Sequence, residues 1–545
     1  MRLTASRLQK RRRPPAVVIS GVALAAATVL AACAPGGGAA SGGSATPRQA
    51  GTLKIGLSGD PGCLDPQQNG NASSINISRQ LVDSLTYLDP DTGTIEPWLA
   101  SSWTVNENAT QFTFTLRDGV TFSDGSGVTA AVVKENLDTV VKLGAATSLV
   151  TGYLGGYEKT TVLDDHTVRV DFSQPNAGFL QATSVVQLGI LSAGTVAKTA
   201  EQRCQADGLV GSGPFVLKSY TPNQSAVLTR RPGYAWPSAV ARHGGEAHLD
   251  SIEFHIVSEA SVRTGSLRSG QLDAITDVQP DDEATLKSGG FTILARANPG
   301  VVNTLFPKPT SEFAADATIR EAIQIGLDRA QLTSVLSGSY QPATSVLAKT
   351  TPGYKDGQGA LKSDPAAAGK LLDDAGWVKG GDGIRVKNGK RLSPDVVYIS
   401  TVVTNQSVLE VVQQQLKDLG VELKLRPLAV ADYLKAAQDP KVNFTFGNFT
   451  RPDLDVLRSA FSSTAAVTAK ETSDSLEKLY VEEQSAADTA ARNGIGGEIQ
   501  DQLIENAYAI PVYELSQVAA VSAAVQGLGF ESSSRLIFYD TWLGK

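Results

Sequence analysis

The residues best suited to chemistry are a small group of histidines with one carboxylate. His243, Glu246 and His248 stand close together in the sequence, and His255 follows shortly after them. Imidazole and carboxylate groups are ligands that zinc accepts. However, His255 falls on the polar face of an alternating strand pattern, and His243 lies in a glycine-rich stretch. The pattern favours exposed loop and strand histidines, with zinc ligation as the alternative.

Other catalytic signatures are missing from the sequence. There is no G-x-x-x-x-G-K-[ST] phosphate loop, no G-x-S-x-G nucleophile elbow and no H-E-x-x-H helix. The run Gly211-Ser212-Gly213 begins like a dinucleotide fingerprint, but Pro214 removes an N–H and Val216 replaces the third glycine. We therefore expect no catalytic residue, no cofactor and no resident metal.

The distribution of charge argues against nucleic-acid binding. Lys and Arg number 48 and Asp and Glu 55, which gives a net charge of −7. Residues 1–32 carry six basic groups and no acid, so the remainder has 42 basic and 55 acidic groups, a net of −13. A body this acidic repels phosphate backbones.

The N-terminus is typical of an exported protein. A basic segment ends at Arg13, and an uncharged apolar run of 17 residues follows from Ala16 to Ala32. That length suits the apolar region of a signal peptide and is marginal for a membrane span. The run ends in Leu-Ala-Ala-Cys, which resembles the lipobox of bacterial lipoproteins. The resemblance implies that residues 1–32 are removed and that Cys33 is acylated; the alternative is a short uncleaved anchor.

The segment after Cys33 is predicted to be a flexible tether. Residues 33–50 are rich in Gly, Ala and Ser and contain no large apolar side chain. The folded body would then sit beside the outer face of a membrane, where disulfides persist. With Cys33 bound to lipid, Cys63 and Cys204 are left as a pair. We expect a disulfide between them, and two buried thiols are the alternative.

The body of the chain alternates between strand and helix patterns. Residues 111–116 alternate apolar and polar side chains, and residues 161–172 read as a hairpin. A strand at 396–399, a helix at 406–419 ended by Gly420, and a second strand at 421–425 form a predicted βαβ unit. A further helix is predicted over 316–332. These elements predict a large α/β protein with some antiparallel parts.

Several motifs resemble the extracellular solute-binding proteins of family 5, the dipeptide, oligopeptide and nickel receptors of ABC importers. The densest match lies between Leu81 and Leu137. The matching segments are 51–55, 64–66, 85–87, 97–103, 112–120, 122–125, 211–215, 267–273, 316–329, 364–372 and 375–377. The resemblance covers about residues 51–545.

The resemblance implies a two-lobed periplasmic-binding-protein-like fold of type II, or cluster C, with mixed sheets and a hinge. Lobe I would hold residues 51–300, with an inserted subdomain at about 90–210. Lobe II would hold residues 301–507, and residues 508–545 would return to lobe I. Two chain crossings allow the lobes to close over a solute while each lobe keeps its own structure.

The resemblance also suggests where a solute would bind. In relatives that bind peptides, an aspartate in a loop after a lobe II strand meets the peptide amino terminus. Asp453 matches that position best, and Asp455 is second. Asn448 and Phe449 stand near the expected tryptophan, while Arg451 would hold a carboxylate or pair with its acidic neighbours. Weaker candidates in lobe I are Asn69 and Tyr87. The alternative is a solvated loop without ligand contact.

The predicted function is a non-enzymatic, lipid-anchored receptor outside the cell membrane. It would capture peptides or a related small solute and deliver them to an ABC permease and its ATPase. We expect a monomer that contacts the membrane through its lipid and binds no nucleic acid. The alternatives are a solute-sensing surface lipoprotein on the same fold and a lipid-anchored hydrolase, for which the sequence offers no nucleophile–base pair.

Overall fold

The computed structural model describes residues 47, 49–147, 150–205, 208–464 and 473–544. Cys33, the predicted signal peptide and most of the tether lie outside this part, so their assignments stay predictions. Within the described residues the protein is mixed α/β, with several separate sheets. None of the described helices is long and apolar enough to cross a membrane.

A mixed seven-stranded sheet organises the part that we call lobe I. In spatial order its strands are Thr292–Ala297, Ser516–Val521, Ala274–Thr276, Thr52–Leu57, Ser251–Ile256, Ser225–Arg230 and Phe215–Thr221. Thr52–Leu57 pairs in parallel with both of its neighbours. Leu53, Ile55 and Leu57 on this strand are fully buried, as expected for an inner strand. Helices of this lobe include Ala72–Ser78, Ala260–Arg268 and Pro280–Ser288.

A separate antiparallel sheet is inserted into lobe I. Its strands, in spatial order, are Ala100–Val105, Gln111–Leu116, Thr167–Phe172 and Tyr157–Val162. The predicted hairpin is confirmed, because Val162 pairs with Val168 across it. Helix Ala130–Leu143 belongs to the same part, and the Thr129 side chain caps it by accepting from Val132 N.

A six-stranded sheet organises the part that we call lobe II. Its strands, in spatial order, are Gln341–Pro342, Ile510–Glu514, Gly300–Pro307, Phe444–Thr450, Asp395–Ile399 and Lys424–Leu428. Its helices are Ala317–Gly326, Pro365–Asp374, Val403–Leu419, Val430–Ala436, Val456–Phe461, Asp474–Ser485 and Thr489–Glu505. The predicted βαβ unit is confirmed: Asp395–Ile399 and Lys424–Leu428 are parallel, and Gly420 ends the helix between them at φ 95°. The second strand begins three residues later than the predicted 421–425.

The helix predicted over 316–332 is shorter in the structure. It covers Ala317–Gly326, and a separate 3₁₀ turn follows at Arg329–Ser334. The Asp328 side chain caps that turn by accepting from Ala330 N. The buried Arg329 guanidinium donates to the carbonyls of Gln324 and Leu327. These side-chain bonds use backbone groups at the helix end, and the helix stops there.

The chain passes between the two large sheets twice, at adjacent points. The first crossing, at Asn298–Pro299, joins strand Thr292–Ala297 to strand Gly300–Pro307. The second is at Leu515, later than the expected residue 508, because Ile510–Glu514 still pairs within lobe II. Asn298 N donates to Leu515 O at 2.8 Å, so the two crossings lie side by side. Paired crossings of this kind form a two-stranded hinge.

Cys63 and Cys204 form the expected disulfide in lobe I. Close by in sequence, Asp65 and Arg203 form an ion pair at 2.8 Å with both side chains fully buried. Arg203 also donates to the Gln67 side chain. The loop after the first strand is therefore held by one covalent link and one buried ion pair.

Candidate functional site

The loop after strand Phe444–Thr450 lies against the hinge. Arg451 N donates to Pro299 O at 3.0 Å. Gly300 has a φ of 108°, and a Cβ at that position would collide with Phe449 O and approach Arg451 N to 2.7 Å. Only glycine allows the two backbones to come this close. The hinge therefore fixes the position from which the Arg451 side chain extends.

Six charged side chains of lobe II meet in front of this loop, and we call them the ion cluster. Its members are Arg451, Asp453, Asp455, Arg458, Glu483 and Arg492. Arg492 donates to both oxygens of Asp453, at 2.8 and 3.0 Å. Asp455 accepts from Arg451 at 2.8 Å and from Arg458 at 2.5 Å. Paired guanidinium–carboxylate bonds of this type hold their partners in fixed orientations.

Two helices of lobe II supply the cluster residues Glu483 and Arg492. Glu483 lies on Asp474–Ser485 and contacts Arg492, on Thr489–Glu505, at 2.5 Å. Burial raises the pKa of Glu483 to about 7, against the opposing effect of the Arg492 charge. Burial alone would also raise the pKa of Asp453, but Arg492 and Arg451 hold it below its ordinary value. Asp453 is therefore ionised at neutral pH.

Lobe I covers the front of the ion cluster. The Arg451 guanidinium carbon lies 4.5 Å from the centre of the Tyr153 ring, a cation–π contact between the lobes. Ala177 N donates to Gln484 O at 2.8 Å. Gly178 is so close that a Cβ there would stand 2.8 Å from Asp453 Oδ1. The inserted part of lobe I thus rests directly on the charged surface of lobe II.

The strength of the contacts in the ion cluster depends on whether lobe I covers it. The cluster residues Arg451, Asp453 and Asp455 are only 7%, 1% and 4% exposed while lobe I covers them. Charges interact more strongly when water is excluded, so the cation–π contact and the ion pairs strengthen as the surfaces meet. If the lobes separated at the hinge, the same charges would face solvent.

The structure brings only some of the predicted site residues together. Asp453, Arg451 and Asp455 share the ion cluster, and of the two roles considered for Arg451, pairing with acidic neighbours is the one seen. Asn448 donates to the Thr450 hydroxyl, and Phe449 packs edge-on against Phe306. The ligand role of these residues stays a prediction.

The two lobe I candidates lie elsewhere. The Asn69 side chain donates to the carbonyls of Pro61 and Cys63 and so holds the loop after the first strand. Tyr87 stacks edge-on against Trp98 and lines a cavity formed by lobe I residues. No motif or spacing in the sequence pointed to Arg492 and Glu483, which complete the ion cluster, or to Tyr153, which covers it.

The histidines singled out from the sequence take part in ordinary packing. His243 stacks between His248 and Tyr539, with ring centres 3.9 and 4.3 Å away. Its Nδ1 lies 2.7 Å from Asp540 Oδ1. His255 is on the strand paired with Thr52–Leu57, with its ring partly exposed next to Glu253. These contacts account for the histidines as structural side chains.

Comparisons with known proteins agree with the architecture. The model of the bacterial extracellular solute-binding proteins, family 5, matches residues 94–467. The nickel-binding periplasmic protein of Escherichia coli (strain K12) is 26% identical over 356 residues, which span 61% of this chain and 63% of that protein, less than two thirds of it. The "Probable D,D-dipeptide-binding periplasmic protein" of the same strain is 26% identical over 74% of this chain and 75% of its own length.

A solved structure supports the fold independently. The crystal structure of NikA from Brucella suis, in complex with Fe(III)-EDTA, superposes with a TM-score of 0.78. The alignment covers 91% of this chain and 100% of that chain, at 23% sequence identity. At this level of identity the likeness establishes the shared fold.

Proposed function

Because the chain belongs to the bacterial extracellular solute-binding proteins of family 5, we propose that it is the solute receptor of an ABC importer. It binds a small solute between lobes I and II and delivers it, without chemical change, to a membrane permease and its ATPase. The observation that carries this proposal is the hinge at Asn298–Pro299 and Leu515, with the ion cluster of lobe II facing the inserted part of lobe I. We propose that the receptor acts as a monomer.

The proposal predicts that solute binding closes the lobes. A hinge of two strands permits a rigid-body rotation, and a ligand shifts that equilibrium only if it binds the closed form better. Mass spectrometry of the natively purified protein would identify a bound solute, and calorimetry with the stripped protein would measure its affinity. A chemically altered solute after incubation, or a scattering profile unchanged by saturating solute, would contradict a receptor that closes.

We propose peptides as the solute class, with Asp453 as the group that binds the amino terminus. The relatives named above include a probable D,D-dipeptide-binding protein, and a charged carboxylate with fixed orientation suits an ammonium group. In the present arrangement both Asp453 oxygens accept from Arg492. An incoming ammonium group would therefore share Asp453 with Arg492 or displace it.

Replacing Asp453 should separate free peptides from blocked ones. We expect Asp453→Ala to weaken binding of a peptide with a free amino terminus by about tenfold or more, because an ion-paired hydrogen bond is lost. Binding of the same peptide after N-acetylation should change much less, which makes it the internal control for damage to the fold. Equal losses for both peptides, measured by calorimetry, would remove Asp453 from this role.

We propose that Cys33 carries the lipid that holds the receptor at the outer face of the membrane. The Leu-Ala-Ala-Cys sequence at residues 30–33 supports this. Full-length protein made in a bacterial host should partition into detergent, and Cys33→Ala should move it to the aqueous phase, because acyl chains supply the membrane affinity. A Cys33→Ala variant that still partitions into detergent would argue for an uncleaved anchor.

A further inference from the structure

Lobe I contains a cavity that is separate from the ion cluster. Its volume is about 390 Å³, and its wall consists of lobe I residues that include Arg79, Tyr87, Trp98, Tyr234, Arg296 and Tyr539. It lies between the hairpin of strands Thr86–Leu88 and Ile95–Pro97 and the segments 234–242 and 527–540. A cavity of this size holds a small organic molecule.

The cavity wall is aromatic on several sides. Tyr87 and Trp98 meet edge-on with ring centres 5.6 Å apart. Tyr234 and Tyr539 lie at the same centre-to-centre distance in a tilted arrangement. The Arg79 guanidinium lies 5.2 Å from the Trp98 ring centre. Flat aromatic faces of this kind favour a flat, unsaturated ligand.

Two N–H groups of the same wall lack an acceptor among the described residues. They are Arg79 Nε and Arg296 Nε, which are both buried. The other N–H groups are partly used, because Arg79 donates to Ser84 and Ser184 O and Arg296 donates to Pro90 O. Arg79 and Trp98 are only 2% and 4% exposed, so water does not reach them freely. The nearest carboxylate oxygen to Arg79 Nε, from Glu531, is 3.8 Å away. Buried donors without acceptors are costly, and a ligand with acceptor oxygens would satisfy them.

Arginines and carboxylates both surround the cavity. The buried Glu531 carboxylate is the common neighbour of three cations, Arg79, Arg296 and Arg535. Of the acids that line the cavity, Asp89 accepts from the backbone of Asp91 and Thr92, and Asp540 accepts from Arg242 N and His243. Asp91 is exposed at the rim. Asp83 also lies near Arg79, and Asp277 near Arg535, so carboxylates balance much of this positive charge. What Arg79 and Arg296 offer a ligand is therefore one buried Nε–H each that lacks an acceptor among the described residues.

From these contacts we propose that the cavity is a second binding site, which accepts a small aromatic carboxylate. The ring would lie between Tyr87, Trp98 and Tyr539, and the carboxylate would accept from Arg79 and Arg296. This site does not depend on the proposed transport function, because it requires neither the hinge nor the ion cluster. Its ligand class follows from the aromatic walls and the unused donors.

A fluorinated probe can test the site directly. We expect 4-fluorobenzoate to bind the full-length protein saturably in a ¹⁹F NMR titration, and uncharged 4-fluorobenzamide to bind about tenfold more weakly, since it lacks the charged acceptor. Arg296 is only partly buried, so Arg296→Gln should fold normally and lose about tenfold in affinity for 4-fluorobenzoate. Arg296→Lys should recover part of that loss because it restores the charge.

A matched variant controls for the overall change in charge. Arg268 is exposed on helix Ala260–Arg268, so Arg268→Gln removes one positive charge from lobe I without touching the cavity. Its affinity for 4-fluorobenzoate should equal that of the unmodified protein. The proposal is overturned if 4-fluorobenzoate does not saturate, if the amide binds as well as the acid, or if Arg296→Gln and Arg268→Gln behave alike.

Discussion

Gly178→Val is expected to lower the affinity for the captured solute by roughly 10- to 100-fold while lobe I stays folded. A Cβ at Gly178 would stand 2.8 Å from Asp453 Oδ1 and 3.2 Å from Arg492 Nη2. Both atoms belong to a buried, doubly hydrogen-bonded ion pair that has little room to move. Overpacking of this kind costs about 1–3 kcal/mol, and the cost falls only on the closed form.

Calorimetry and small-angle scattering would check this expectation together. The variant should bind solute weakly and keep, at solute concentrations that saturate the unmodified protein, the larger dimensions of the open form. Gly155→Val is the matched control, because Gly155 is exposed in the same part of lobe I and no atom of the described residues lies within 4 Å of its added Cβ. Unchanged affinity in Gly178→Val would show that binding does not require the lobes to meet at this point.

Loss of the disulfide should cost lobe I about 4–5 kcal/mol of unfolding free energy. The bond between Cys63 and Cys204 spans 141 residues. In the chain-entropy model, a link across a loop of this length removes much of the freedom of the unfolded chain. The neighbouring Asp65–Arg203 pair would remain, but its two buried charges depend on the loop keeping its place.

Chemical denaturation of the Cys63→Ser, Cys204→Ser double variant would measure the loss. The midpoint should fall to that of the reduced unmodified protein, and adding reductant to the double variant should have no further effect. That second comparison separates the covalent link from the changed side chains. A midpoint equal to that of the oxidised protein would mean that the bond adds no stability.

Local sequence patterns were enough to predict much of the fold. Residues 111–116 and 161–172 alternate because one face of their sheet is buried, and the structure confirms both. Gly420 was predictable as a helix end because a left-handed residue there favours glycine. The end of the helix beginning at Ala317 was not, because it depends on where the buried Arg329 side chain finds its acceptors. Periodicity carries no information about such contacts.

The candidate site was less accessible to sequence reasoning. The loop with Asp453 could be selected by its resemblance to a family pattern, yet its partner Arg492 is 39 residues away on helix Thr489–Glu505. Tyr87, a weaker candidate for solute contact, lies in the wall of the lobe I cavity, a position that its sequence pattern did not indicate. Which charged groups meet, and across which surface, is decided by how whole helices and lobes pack.

The order of strands in lobe I has a consequence for how the protein is made. Strand Ser516–Val521 lies inside the seven-stranded sheet, between Thr292–Ala297 and Ala274–Thr276. The ribosome produces it long after both neighbouring strands, so the growing chain carries a gap in that sheet until Val521 has been made. Such long-range pairing is slow to form. A nascent chain that cannot complete its sheet stays unfolded longer, and a stop codon before Ser516 would leave two unpaired edges prone to aggregation.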